Sequence, residues 1–306
     1  MTIGPPADGL ADGRLPHMRV REFSLFAVLL LASAGSAAPS GGAPRPAPPA
    51  RRTPPAVSVL PAAERQALDR ALEAYLRERP GRAALAVHDR TTGARYAFRE
   101  HTPFMLASVA KVDILLAFLL GEHGRRLSAY ERRLTSRMIR YSDNDCAHEL
   151  YVTIGGRDGL DRALRRLGVH HTRPGSGLSW GATHSRPSDQ VKVLERLTDP
   201  GGPLPARSRR YALGLMSSVA PSQAWGVSAA ASGGDVALKN GWLPAEAHDG
   251  LWTVNSVGRL VVRGHELLIA VLSERNPAMD DGVATVERMA RLVVRTLTRD
   301  GAAVGV

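Results

Sequence analysis

The sequence predicts an α/β sandwich in which one sheet combines strands from both ends of the chain. Three observations support this fold class. A helix-like segment and two strand-like segments begin the folded part, a block of helix-like segments fills the middle, and strand-like segments with one long helix-like segment end it. With strands from both ends in one sheet, the terminal helices are expected to cover one of its faces.

The first elements follow from periodicity and from turn residues. Residues 61–79 carry apolar side chains at helical spacing between Pro61 and Pro80. Residues 83–89 and 95–98 alternate or run apolar as strands do. A long apolar helix then follows Ser108, and the same periodicity predicts further helices over residues 128–139, 143–153, 158–167 and 187–197.

The C-terminal part returns to strand-like patterns. Segments that alternate or run apolar cover residues 236–239, 251–257, 260–262 and 267–273. Residues 280–298 then predict a final helix. The order is therefore helix, two strands, a helical block, strands again and a last helix.

The N-terminal region predicts export. A basic start at residues 19–21, an apolar run over 23–32 and small residues over 33–38 form the pattern of a secretory signal peptide, predicted over 1–38. Met18 is an alternative start. The apolar run is too short to span a bilayer as a helix, and a short buried helix is its alternative interpretation. Residues 39–56 are rich in proline and alanine, which predicts an extended linker.

These boundaries place the folded domain at residues 57–306, and we expect the mature protein to be secreted or associated with the cell wall. The single cysteine, Cys146, excludes an intrachain disulfide and any cysteine-based zinc or iron–sulfur cluster. No cofactor, no metal and no stable membrane span are expected. We expect a monomer.

The net charge of +11 favours an anionic partner in general terms. Only three of the 40 basic residues are lysines, however, and the scattered arginines often stand beside acids, as on a solvated face. A nucleic-acid partner is not expected, because basic and aromatic residues do not alternate. In a chain that prefers arginine, a retained lysine indicates a need for an amine that can lose its proton.

Three short motifs carry the candidate chemistry. Ser108 and Lys111 are three residues apart at the start of the apolar helix, on one helical face. A serine hydroxyl needs a base to take its proton, and a lysine in a dry site can be that base. Taken alone, Ser142-Asp143-Asn144 has an alternative explanation as a helix N-cap, and Lys239-Asn240-Gly241 has one as a type I′ turn.

The order of the motifs, S-x-x-K, S-D-N and then K-x-G on a late strand, resembles the penicillin-recognising serine hydrolases, specifically the class A β-lactamase-like family. The resemblance covers roughly residues 60–300, and the segments 154–156 and 167–168 also resemble that family. It implies an antiparallel sheet flanked by the terminal helices, with an all-helical block. It also implies a serine hydrolase that reacts with β-lactams or with cell-wall peptide-like amides.

The resemblance implies catalytic roles for four residues, which are Ser108, Lys111, Ser142 and Lys239. Ser108 would be the acylated nucleophile and Lys111 its general base. Ser142 would relay a proton to the leaving nitrogen. The backbone N–H groups of Ser108 and Trp242 would form the oxyanion hole.

The same resemblance implies a substrate-binding set, which is Asn144, Asn240, Gly241 and Trp242, next to the catalytic Lys239. Asn144 would hold the substrate's side-chain amide, and Lys239 would supply positive charge for the substrate carboxylate and for the hydrogen bonds of Ser142. Gly241 permits close approach of the backbone. Asn240 stands where the family has Thr or Ser, whose hydroxyl grips the carboxylate, so we expect an altered substrate preference.

A second departure concerns the release of the acyl group. The family has a Glu-x-x-Leu-Asn stretch whose glutamate positions the hydrolytic water, whereas residues 173–184 here contain no carboxylate. Only His184 in this stretch could be a base at neutral pH, although a structural histidine is the alternative. Three activities therefore remain open: a β-lactamase, a slow-turnover penicillin-binding or D-Ala peptidase-like enzyme, and a binding protein with weak catalysis.

Overall fold

An antiparallel sheet forms the centre of the molecule, which is known from a computed structural model that describes residues 60–231 and 233–299. The strands are β1 (Arg82–Asp89), β2 (Arg95–Phe98), β3 (Phe104–Met105), β4 (His184–Ser185), β5 (Asp235–Pro244), β6 (Trp252–Val262) and β7 (His265–Asn276). The main sheet has the order β2-β1-β7-β6-β5, and β3 pairs separately with β4. Strand β5 is therefore an edge strand.

Eight helices surround the sheet in the described part of the chain. They are α1 (Ala62–Arg77), α2 (Ala110–Gly121), α3 (Ala129–Arg140), α4 (Asn144–Thr153), α5 (Gly156–Arg166), α6 (Pro187–Thr198), α7 (Ala206–Met216) and α8 (Met279–Leu297). None of these helices is long and apolar enough to cross a membrane.

The side chains of the sheet alternate between two cores, as the period of a β-strand requires. Leu85 and Ile269 point to a core shared with α1 and α8. Ala84 and Leu268 point to the other core, which the helical block completes. The predicted sandwich, with both terminal helices on one face, is confirmed.

Three segments differ from the sequence-based expectations. The predicted strands 251–257 and 260–262 are one strand, β6, because Gly258 permits close strand packing: a Cβ there would lie 2.6 Å from the Ala237 carbonyl oxygen. Strand β5 continues to Pro244, so Asn240 and Gly241 lie within a strand and form no type I′ turn. Helix α7 was not predicted, because its first five residues, 206–210, carry no large apolar side chain and its apolar residues are confined to its second half. The predicted signal peptide and linker lie outside the described residues.

Helix α2 is the most deeply buried helix of the block, and its core packing can be tested at Ile114, which is fully buried. We expect Ile114→Ala to lower the free energy of unfolding by about 2–5 kcal/mol, because the lost methyl groups leave a cavity. Urea unfolding followed by circular dichroism measures this. Val152→Ala, at an exposed site, serves as the control and should change stability by about 0.5 kcal/mol or less.

Candidate active site

Ser108 lies in a short 3₁₀ turn, residues 107–109, that leads directly into α2. The expectation that Ser108 opens the helix is therefore correct to within one turn. Ala107 has a positive φ of 51°, a conformation that non-glycine residues seldom adopt. The Leu106 N–H donates to the Thr183 carbonyl at 2.7 Å, and Asn255 Nδ2 donates to the Leu106 carbonyl at 3.1 Å. These bonds fix the backbone that presents the serine hydroxyl.

Lys111 connects the first two motifs. Its Nζ lies 2.9 Å from Ser108 Oγ, 2.7 Å from the Ser142 carbonyl oxygen, 3.0 Å from Ser142 Oγ and 2.7 Å from Asn144 Oδ1. The residue has no exposed surface. Burial lowers the pKa of Lys111 to about 7, and the nearby Asp143 charge only partly opposes this shift. A substantial fraction of the amine is therefore neutral at physiological pH, as a base must be.

The second motif is both a helix cap and part of the site. Asp143 caps α4 by accepting a hydrogen bond from the Cys146 N–H, and it also accepts one from Arg137 Nε. The N-cap interpretation is thus correct for Asp143. Its neighbours Ser142 and Asn144 nevertheless contact Lys111, so the cap places both of them at the site.

Lys239 reaches the same serine from the opposite side. Its Nζ lies 3.1 Å from Ser142 Oγ and 2.7 Å from the Asn240 carbonyl oxygen, and only 1% of the residue is exposed. Burial, together with the charge of Lys111, holds the pKa of Lys239 well below its ordinary value. Neither lysine has a carboxylate among its hydrogen-bond partners in the described residues. The pocket is therefore suited to a negatively charged group.

Gly241 is where the edge strand approaches Ser108. A Cβ at this position would lie 2.6 Å from the Leu106 carbonyl oxygen and 2.7 Å from the Ser108 nitrogen, closer than real Cβ atoms come. Trp242 follows on β5 as a half-buried residue and packs edge-to-face against Trp225, with the ring centroids 5.6 Å apart. The strand thus brings Gly241 against the turn that carries Ser108.

Asn240 is placed differently from what the sequence suggests. The residue is completely buried, and its Nδ2 donates to the carbonyls of Gln223 at 2.8 Å and Trp225 at 2.9 Å. Both amide hydrogens are therefore used inside the protein. In this arrangement Asn240 offers no N–H to a substrate carboxylate and instead fixes the segment that carries Trp225.

The segment 173–184 contributes an aromatic ring to the site. The Trp180 ring lies over Lys111 Nζ, 4.8 Å from the ring centroid. His184 is exposed on β4, and its Nδ1 lies 2.9 Å from the Ala182 carbonyl oxygen. Among the described residues no hydrogen bond links His184 to Ser108 or Lys111.

Two positioning residues escaped the sequence analysis. Asn255, opposite Gly241 on β6, holds the backbone before the nucleophile, and Trp180 covers the general-base candidate. Trp180 is the only Phe, Tyr or Trp in the segment 173–184, and this is the one feature of the sequence that could have pointed to its role.

The close approach at Gly241 yields a direct test. We expect Gly241→Ala to push the turn that carries Ser108 away from β5, because the added Cβ would meet backbone atoms, which cannot rotate aside. Labelling of Ser108 by a serine-reactive fluorophosphonate should fall at least tenfold. Gly214→Ala, which adds a Cβ with no atom within 4 Å, is the matched control and should label normally. Normal labelling of Gly241→Ala would contradict the tight packing.

Comparison with solved structures shows the fold. A class A β-lactamase from Bacteroides cellulosilyticus superposes with a TM-score of 0.66 at 18% identity, over 78% of this chain and 99% of that one. The TLA-1 extended-spectrum β-lactamase gives 0.68 at 16% identity, over 77% and 100%. An engineered variant of an ancestral class A β-lactamase of Gram-negative bacteria gives 0.64 at 23% identity, over 76% and 98%.

Sequence comparison adds the family. A protein of Mycobacterium tuberculosis named "Putative lipoprotein LppW" is 27% identical over 226 residues, which are 71% of this chain and 70% of that protein. The family model described as "Beta-lactamase enzyme family" matches residues 121–297, more than half of the chain. With this match, the chain belongs to the β-lactamase enzyme family, and its fold is that of the class A β-lactamases.

Proposed function

We propose that this protein is a serine hydrolase that is acylated at Ser108 by β-lactams or related amides and that releases the acyl group slowly. The observation that carries the proposal is the contact of Lys111 Nζ with Ser108 Oγ at 2.9 Å, inside a site dry enough to bring the pKa of the amine to about 7. A neutral amine at hydrogen-bond distance from a serine hydroxyl is the arrangement that nucleophilic catalysis needs.

The hydrogen bonds of Lys111 fit both states of the proton transfer. As a neutral amine, Nζ donates its two hydrogens to the Ser142 carbonyl and Asn144 Oδ1 and accepts the Ser108 hydroxyl proton. As the ammonium, it donates to the same three oxygens. Ser108 Oγ can therefore attack the substrate carbonyl carbon while its proton passes to Lys111, with no rearrangement of the site.

Breakdown of the tetrahedral intermediate needs a proton on the leaving nitrogen. Ser142 Oγ lies between the two lysines, 3.0 Å from Lys111 Nζ and 3.1 Å from Lys239 Nζ. We assign it the relay: Ser142 gives its proton to the nitrogen as the C–N bond breaks and takes one from a lysine. The N–H groups of Ser108 and Trp242 are the proposed donors to the oxyanion.

The substrate contacts follow from the groups left unsatisfied. Asn144 is exposed and uses its Oδ1 on Lys111, so its Nδ2 remains for an amide carbonyl of the substrate. Lys239 binds the substrate carboxylate, whose negative charge favours the ammonium form of the amine. Gly241 lets the substrate lie close to β5. For Asn240 we propose an indirect part, through the placement of Trp225.

Slow turnover makes a penicillin-binding, D-Ala peptidase-like enzyme the second candidate. The observation that favours it is the segment 173–184, which offers no carboxylate to the site. Cell-wall peptide would then be the substrate.

Export of the protein is consistent with the name of the lipoprotein LppW of M. tuberculosis. We propose a signal peptide over 1–38, a linker over 39–56 and a monomeric domain over 57–306.

Intact-protein mass spectrometry with a penicillin tests the function. We expect one adduct per protein to form quickly and to persist, because a missing general base slows water attack by about 10²–10⁴. Ser108→Ala should form no adduct. Ser179→Ala, which changes an exposed serine in the segment 173–184, should be labelled like the wild type. Equal labelling of the wild type and Ser108→Ala would refute the assignment.

The role of Lys111 predicts a pH dependence. Only the neutral amine accepts a proton, so the acylation rate should rise with pH, reach half its maximum near the pKa of about 7 and level off above it. Lys111→Arg, which cannot deprotonate, should acylate about 10²–10⁴ times more slowly. Lys192→Arg changes the one lysine outside the site and should have no effect. Stopped-flow measurement with a chromogenic cephalosporin gives these rates, and a flat pH profile would exclude Lys111 as the base.

A further inference from the structure

We propose that Trp180 is a positioning residue that closes Lys111 to water, so that the lysine can activate Ser108 but cannot activate water for release of the acyl group. The inference deepens the proposed function, since its second half rests on acylation of Ser108. Slow turnover would then have two causes. One is the absence of a carboxylate from the segment 173–184, and the other is the Trp180 ring over Lys111.

The first argument is the space above the amine. The Trp180 ring centroid lies 4.8 Å from Lys111 Nζ. A water between them would need about 2.8 Å to the nitrogen and about 3.5 Å to the ring, roughly 6 Å if the three stood in line. The gap is too short, so no water fits between the indole and the amine.

The second argument is the coordination of the nitrogen. Four polar contacts already surround Nζ: Ser108 Oγ, both Ser142 oxygens and Asn144 Oδ1. A tetrahedral nitrogen bonded to Cε has three directions left, and these four oxygens take them. A water could bind Lys111 only by competing with one of these oxygens, and the indole keeps water out of the space over Nζ from which it would compete.

The third argument is that the backbone holds Trp180 in place. Its carbonyl accepts hydrogen bonds from Thr183 Oγ1 at 2.7 Å and from the Thr183 N–H at 3.1 Å. The Thr183 carbonyl in turn accepts from the Leu106 N–H at 2.7 Å, two residues before the nucleophile. The turn that carries the indole is therefore fastened to the segment that carries Ser108.

The charged groups around Lys111 and the indole affect the pKa of the amine in different ways. The titratable groups that face Lys111 are Lys239 from β5 and Asp143 at the start of α4. In the segment 173–184 the guanidinium of Arg173 donates to the His170 carbonyl and not to the site. A cation–π contact favours the ammonium, but its effect is worth only about one pKa unit. Loss of water from the amine is the first cause of its lowered pKa and acts in the opposite direction.

The lifetime of the acyl-enzyme is the direct test. The penicillin adduct is separated from free penicillin by rapid desalting, and its loss is followed by intact mass spectrometry. We expect Trp180→Ala, which opens the space over Nζ, to shorten the lifetime at least tenfold. Trp180→Phe keeps a ring in place and should stay within about threefold of the wild type. An unchanged lifetime in Trp180→Ala overturns the proposal.

A second measurement does not depend on acylation. The chain has three lysines, so ¹³C-labelled lysine gives three sets of Cε signals, which Lys192→Arg and Lys239→Arg help to assign. We expect the titration midpoint of Lys111 to rise by about one unit in Trp180→Ala, because water reaches the ammonium. Trp180→Phe keeps both the aromatic face and the apolar cover and should leave the midpoint within about half a unit of the wild type.

The two readouts separate the two proposals. If the wild type forms no adduct, the proposed function fails, and the titration alone decides whether Trp180 excludes water. An unchanged midpoint in Trp180→Ala overturns the inference, and so does a raised midpoint with an unchanged acyl-enzyme lifetime. Circular dichroism checks the fold of each variant, and Trp180→Val replaces Trp180→Ala if the latter does not fold.

Discussion

The candidate site depends on the close approach of the turn at residues 107–109 to the edge strand β5. Gly241 makes this approach sterically allowed, because any Cβ there would overlap the backbone of the turn. Asn255, its neighbour on β6, secures the approach with hydrogen bonds to the carbonyls of Met105 and Leu106. Once the turn is fixed, α2 brings Lys111 to Ser142, and the Ser142 hydroxyl lies between the amines of Lys111 and Lys239. The site is thus a consequence of one backbone contact.

The sequence predicted those features that depend on local order. Hydrophobic periodicity located seven of the eight described helices and the strands of the main sheet, since it reports which face each segment buries. It also grouped Ser108 with Lys111, because a spacing of three residues is enough to place two side chains together on a helix. Lysine was informative because the chain uses arginine almost everywhere else: the two lysines at motif positions are the two that lie completely buried.

What the sequence could not supply are contacts between distant segments. The motif position of Asn240 suggested contact with a substrate, yet its amide is turned to Gln223 and Trp225, some 15 residues earlier in the chain. Trp180, whose ring covers Lys111 Nζ, lies in the segment 173–184. The notable feature of that segment in the sequence is its missing carboxylate, and nothing there marks the tryptophan as a contact of Lys111. Neither contact follows from spacing, because each depends on how a loop folds back on the finished sheet.

The burial of Lys111 has a consequence for the molecule as a whole. Its pKa falls from 10.5 to about 7 on folding, so between these values the unfolded chain binds more protons than the folded one. Stability therefore declines as the pH falls through this interval, and below about pH 7 the folded state bears the full penalty, on the order of 5 kcal/mol. The protein gives up this much folding free energy to keep a reactive amine dry. A bound anion that neutralises the pocket would return part of it, so occupancy of the site and resistance to unfolding are thermodynamically linked.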